Sequence, residues 1–299
     1  MTTTAPDQAS SESDQGNSAG GAATALNRFV EVAGDTFAYR RFGTPSVTLP
    51  PLLMLQHFRG NLDFWDPVLL DILAVDREVI TVDQRGVGAS TGITRDNVTD
   101  TATDTAAFAA ALGLKRLDVL GFSLGGHVAQ DLTLRYPRLV RRLVLGGTAP
   151  QGAPNLHPWN DDVYAWATGD VTAAEDFIAL FFTGSADSTR LAWEYLARTS
   201  VRQQDRDEPT SLATRDAQYT ALMAWGIPDS SKLERLSAIR QPTLVANGDN
   251  DTMMITQNSY LLAERIPGAQ LRIYPDSGHG FLDQHPQLFG EHVRAFLGH

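Results

Sequence analysis

From residue 51 onward, short runs rich in Val, Leu and Ile alternate with stretches of helical periodicity, and that rhythm sets the narrowest limit on the fold. "PLLMLQHF", "REVITVDQRG", "RLDVLGFS" and "RLVLGGTA" are apolar in runs rather than on alternate residues, as strands covered on both faces must be. Between them, "DPVLLDILAV" (66–75), "TATDTAAFAAALGL" (101–114) and "GGHVAQDLTLRYP" (from 125) carry helical spacing. The repeat predicts a doubly wound, mostly parallel α/β sheet with helices on both faces. "RFVEVAG" and "TFAYRRFG", ahead of it, read as an antiparallel pair. "PTLVANGD", "NSYLLAERIPG", "QLRIYPD" and "PQLFGEHVRAFLG" resume the rhythm near the end.

The rhythm breaks over 151–236, where helical periodicity continues without a clear strand. Phe177, Leu180 and Phe181 fall at helical spacing in "AAEDFIALFF". Four of the five tryptophans, Trp159, Trp166, Trp193 and Trp225, lie in this insertion after the sixth strand. A sheetless subdomain uses aromatics to build its own core; the alternative is that some face down and line a pocket on the main domain.

Composition removes several functions. With no cysteine there is no disulfide, thiolate nucleophile or cysteine-based zinc site. A formal net charge of -11, without a local Lys/Arg cluster, opposes binding to a phosphate backbone, so nucleic acid is not an expected partner. Residues 1–25 are small, polar and free of Lys and Arg, which predicts a disordered tail and no secretory signal. No run approaches the roughly 18 apolar residues of a membrane helix, and a cytoplasmic location is the default expectation.

"DVLGFSLGGHVAQ" (118–130) sets Ser123 between Gly121 and Gly125. The G-x-S-x-G pattern alone is weak, arising by chance in about one chain in ten of this length given glycine's ordinary frequency. Its setting, after a buried strand and before a helix, is the one in which the serine occupies a tight turn with its hydroxyl exposed. A serine hydroxyl needs a base, and the base an orienting acid. Downstream, "DND" follows "PTLVANG", and "SGHGF" follows "QLRIYPD". An ordinary strand-end turn also favours Asp and Asn, whereas a histidine between Gly278 and Gly280 is poorly explained by packing.

Taken in order, "HFRG", "DQRGVGAS", "GFSLGG", "GDND" and "SGHGF" make residues 28–299 resemble the α/β-hydrolase superfamily. The resemblance is to its lid-bearing branch of serine esterases, lactonases, carbon–carbon hydrolases and cofactor-free haloperoxidases. It implies Ser123 as nucleophile, His279 as general base and Asp251 as the orienting acid, with Asp249 as a nearby rival. It implies an oxyanion hole from the amides of Leu124 and Arg59, with Phe58 as the alternative to Arg59. Relatives usually carry His-Gly where this chain has His57-Phe58. The Arg59 guanidinium, close to the site, is placed to pair with a substrate carboxylate or enolate, or else reaches solvent, Asp63 or Asp66. "DQRGVGAS" is expected to be a structural turn, and His127 a packing or capping residue. His157, His285, His292 and His299 are given no role.

On this basis the expected organisation is a disordered tail (1–25), a hydrolase core (26–150 and 237–299) and a helical lid (151–236). Phe58, Trp159, Trp166 and Phe181 are the candidate substrate-facing residues, which argues for a small, partly apolar substrate. The expected reaction is ester or lactone hydrolysis through an acyl-enzyme, without metal or organic cofactor. Carbon–carbon hydrolysis and a perhydrolase or haloperoxidase-like activity use the same triad. A non-catalytic small-molecule-binding protein is the alternative from another class.

Overall fold

The computed structural model describes residues 21–156 and 158–298. Eight strands form one sheet: β1 (Arg28–Val32), β2 (Asp35–Gly43), β3 (Leu52–Leu55), β4 (Glu78–Val82), β5 (Leu117–Phe122), β6 (Val140–Gly146), β7 (Thr243–Gly248) and β8 (Gln270–Tyr274). Their spatial order is β1-β2-β4-β3-β5-β6-β7-β8. β1 pairs antiparallel with β2, and β2 with β4; all other pairings are parallel. The expected doubly wound sheet is therefore the fold of this chain, with the antiparallel pair at one edge. β3, β5 and β7 are buried at every residue, which is why they read as unbroken apolar runs.

The helices are α1 (Pro67–Leu73), α2 (Val98–Ala111), α3 (Leu124–Arg135), α4 (Asp161–Thr168), α5 (Ala174–Phe181), α6 (Ala186–Thr199), α7 (Leu212–Trp225), α8 (Ser230–Leu233), α9 (Gln257–Arg265), α10 (Phe281–Gln284) and α11 (Pro286–Leu297). Several starts are fixed by side-chain caps. Asp66 accepts from the Val68 amide (2.9 Å) with Pro67 in the first turn, and Asn97, Asn160, Ser185 and Ser211 cap α2, α4, α6 and α7.

Helices α4–α8 lie between β6 and β7 in sequence, and buried polar contacts tie them to the sheet domain. Arg198 of α6 makes a forked ion pair with the fully buried Asp66, at 2.6 and 2.9 Å, and also donates to the Asp283 carbonyl (3.0 Å). Tyr195 donates its hydroxyl to the Phe64 carbonyl (2.7 Å).

The expected tail needs a correction at its inner end. Residues 1–20 lie outside the described residues, but 21–25 are folded. Ala22–Thr24 form a 3₁₀ turn, Ala22 and Ala25 are buried, and the Ala22 amide donates to Asp71 (2.7 Å). Arg202 donates to the Ala23 and Ala25 carbonyls.

Candidate active site

In open α/β sheets, ligand chemistry collects beyond the carboxyl ends of the strands. Ser123 follows β5, the His57–Arg59 loop follows β3, Asp251 follows β7 and His279 follows β8.

Ser123 has φ +56° and ψ −118°, a conformation that costs a non-glycine residue about 1–3 kcal/mol. Surrounding bonds hold it there. Its amide donates to the Gly146 carbonyl (2.9 Å), and its carbonyl accepts from the Gly126 amide and the Thr148 hydroxyl, each at 2.8 Å. Gly125 lets α3 start this close to the sheet: a Cβ there would strike the Leu55 carbonyl. The Leu124 amide, first in α3, has no preceding turn to bond and sits at the positive end of the helix.

His279 is fully buried beside this turn. Its ring stacks on Phe122 (centroids 5.0 Å), and Gly147, on the strand end next to Ser123, approaches the same imidazole. Nδ1 is 2.7 Å from Oδ2 of Asp251, while Nε2 is buried and makes no hydrogen bond among the described residues. The other oxygen of Asp251 accepts from the Met253 and Met254 amides (2.8 and 2.9 Å), which fixes the carboxylate. Asp249 lies elsewhere. Its Oδ1 accepts from Asn250 (2.6 Å) and from the Ser277 amide (3.1 Å), bracing the turn that carries the histidine. The glycines flanking His279 make room for α5. A Cβ on either would press on Phe181, whose carbonyl accepts from the Gly280 amide (2.6 Å).

The β3 loop departs from expectation at Arg59. Its amide, the expected second oxyanion donor, donates to Oε1 of Gln218 on α7 at 2.7 Å. Its guanidinium is half-buried and bonds neither Asp63 nor Asp66. It caps the end of α4 at the carbonyls of Gly169 (2.6 Å) and Ala167 (3.2 Å).

His57 is buried against Phe64, Phe122 and Phe181 and bonds the Phe58 carbonyl through Nδ1 (2.8 Å). Burial lowers its pKa to about 3; the Phe58 carbonyl offsets part of this, and nearby His279 lowers it further. Because the folded value lies below the ordinary 6.5, the stability it contributes is present above about pH 6.5 and is lost as pH falls toward 3. His57→Gln is expected to lose about 1–3 kcal/mol less unfolding free energy than the native chain between pH 7 and pH 4, read by urea titration.

A cavity of about 400 Å³ opens from His57 and Phe181, the two rings beside His279. Phe58, Phe64, Trp166, Phe177, Leu180 and Met253 form its apolar wall. Of the four residues expected to face substrate, Phe58, Trp166 and Phe181 line it. Trp159 does not: it is buried behind Phe58 (ring centroids 6.0 Å) and donates to the Met253 carbonyl (3.0 Å). Trp193 is half exposed, and Trp225 stacks on His127 (5.1 Å), giving that histidine the packing role expected of it. His285 bonds Ser277 and His292 bonds Tyr274. His157 and His299 lie outside the described residues.

Asp83 in "DQRGVGAS" accepts from the Leu62 amide (3.0 Å) and anchors the β3 loop. Burial first, and then the facing Asp207 carboxyl, push its pKa well up; burial and Asp63 raise Asp207 too. Acids with raised folded-state values stabilise most in acid and lose that contribution as pH climbs from about 4 through the raised value. Asp207→Asn removes the like-charge pairing and offers Asp83 a donor. The expected result is a melting temperature about 2–4 °C higher at pH 8, with a smaller gain at pH 5.

A hydroxyl on a strained strand-to-helix turn, with a carboxylate-oriented imidazole beside it on a doubly wound sheet, belongs to hydrolases. The chain is a member of the alpha/beta hydrolase fold family, whose model matches residues 50–286. A solved "alpha/beta hydrolase fold protein" from Chitinophaga pinensis is 40% identical, with TM-score 0.87, over 93% of this chain and 99% of that one. Est816, described as an N-acyl homoserine lactone degrading enzyme, is 28% identical with TM-score 0.70, over 90% and 100% of the two chains. A poly(3-hydroxyalkanoate) depolymerase of Ectopseudomonas oleovorans is 30% identical over 266 residues, 86% of this chain and 87% of its own. No helix among the described residues is long and apolar enough to cross a membrane.

Proposed function

We propose that this hydrolase cleaves ester or lactone bonds of a small, partly apolar substrate through a Ser123–His279–Asp251 triad. The observation that carries the proposal is the imidazole of His279. One nitrogen is held by Asp251 at 2.7 Å, and the other is buried and unbonded beside the turn bearing Ser123.

Asp251 accepts a hydrogen bond from Nδ1–H, which keeps the proton on Nδ1 and leaves the lone pair on Nε2. Nε2 takes the Ser123 proton as Oγ attacks the carbonyl carbon, and Asp251 stabilises the imidazolium that forms. Negative charge on the former carbonyl oxygen is met by the Leu124 amide and, once Gln218 withdraws, the Arg59 amide. Collapse expels the alcohol, which takes its proton from His279 and leaves an acyl-enzyme. Water, deprotonated by His279, then releases the acid. For a lactone, the alcohol and the acid are two ends of one product. These steps require no metal or organic cofactor.

Residues 151–236, with helices α4–α8, act as the lid. Phe177, Leu180 and Phe181 of α5, with Trp166 of α4, give the cavity the wall that an apolar acyl or alcohol portion needs. The lactone-degrading relative supports a cyclic ester as substrate. Turnover of a chromogenic short-chain ester tests the proposal: hydrolysis is expected from the native chain and not from Ser123→Ala.

A further inference from the structure

We propose, building on the serine-hydrolase reading, that Gln218 is a resident stand-in for the substrate oxygen, which the acyl oxygen must displace before Ser123 can react. Gln218 is buried on α7, and its carboxamide oxygen sits 2.7 Å from the Arg59 amide. It is chemically a carbonyl oxygen on the donor that the substrate's carbonyl requires. A small cavity against the nucleophile turn is lined by Gln218 together with His57, Leu124 and Gly125, so Gln218 and the first residues of α3 border the same space.

The surroundings explain why a stand-in is present. Arg59 has φ +63°, a left-handed conformation, and its amide is directed at Gln218. Besides Gln218, its partners are the Thr210 hydroxyl on its own carbonyl (2.6 Å) and the α4 carbonyls on its guanidinium. All of these belong to the segment between β6 and β7. That segment therefore holds the loop in its reactive shape and also fills the donor. A buried amide left unpartnered costs stability, and Gln218 removes that cost between turnovers while the Thr210 hydroxyl and the Gly169 carbonyl keep the loop in place. An oxyanion accepts from the amide more strongly than a neutral carboxamide does, so the exchange favours the transition state.

The test measures Ser123 phosphonylation by a fluorophosphonate and hydrolysis of p-nitrophenyl acetate, with rates expressed per labelled serine so that misfolded protein does not count. Gln218→Leu, similar in size and without an acceptor, is expected to raise both second-order rate constants about 3–10-fold, mainly through KM. Gln218→Glu places a carboxylate where the oxyanion forms. It is expected to slow both reactions at least tenfold at pH 8, with the deficit shrinking toward pH 5.5 as the carboxyl is protonated. A labelled native chain whose Leu variant is slowed or unchanged, with a Glu variant as fast as native, overturns the proposal: Gln218 is then a brace for the loop. A native chain that neither labels nor hydrolyses overturns the serine-hydrolase reading and this proposal with it.

Discussion

Replacing Asp251 with asparagine is expected to lower kcat by about 10⁴-fold, while Asp249→Asn leaves it within about twofold. The contrast follows from which atoms are already committed. Oδ1 of Asp251 accepts from two backbone amides, so an asparagine in that place keeps its oxygen there and turns its NH₂ toward His279. The imidazole then presents a lone pair at Nδ1 and carries its proton on Nε2, the wrong tautomer for taking a proton from Ser123. At Asp249 the bonds are to the Ser277 amide and the Asn250 side chain, and an asparagine oxygen accepts them as well. Steady-state kinetics on an ester, with thermal melts to confirm folding, read both variants.

Ser123→Ala and His279→Ala are each expected to reduce kcat by about 10⁴–10⁶-fold, and the double variant to be no slower than either single one. In the proposed mechanism nucleophile and base act on one proton, so removing either stops the same step. The residual rate expected on this proposal comes from the oxyanion donors it assigns and from the binding cavity, which both substitutions leave in place. Multiplying losses in the double variant would mean that the two side chains serve separate steps.

The turn at Ser123 was legible because it is a local pattern, a glycine-flanked serine after an all-buried strand. The choice of Asp251 over Asp249 came only from the family resemblance, since a strand-end turn favours either residue. The glycines around His279 were read as a sign of function, and the structure adds a second reason for them: the backbone of Phe181 crosses there. What stayed hidden depends on contacts across the chain. Nothing near Arg59 indicates that its amide meets Gln218, 159 positions away, or that its guanidinium ends on α4. Helical spacing placed Phe177 and Leu180 on one face of α5, but spacing alone does not say which neighbour that face meets. Trp159 illustrates the converse: its indole N–H found a buried carbonyl behind Phe58 and not the cavity. The inner end of the tail is ordered for a similar reason: Ala22 and Ala25 join the hydrophobic core, and their backbone groups bond Asp71 and Arg202, 49 and 177 positions away.

Intact-mass spectrometry after fluorophosphonate treatment, on the native chain and on Ser123→Ala, tests the central claim most directly. An activated nucleophile predicts one adduct per chain, mapping to Ser123 and missing from the variant. A folded native chain that takes up no adduct, or one whose adduct persists in Ser123→Ala, would contradict the assignment of Ser123 as the nucleophile.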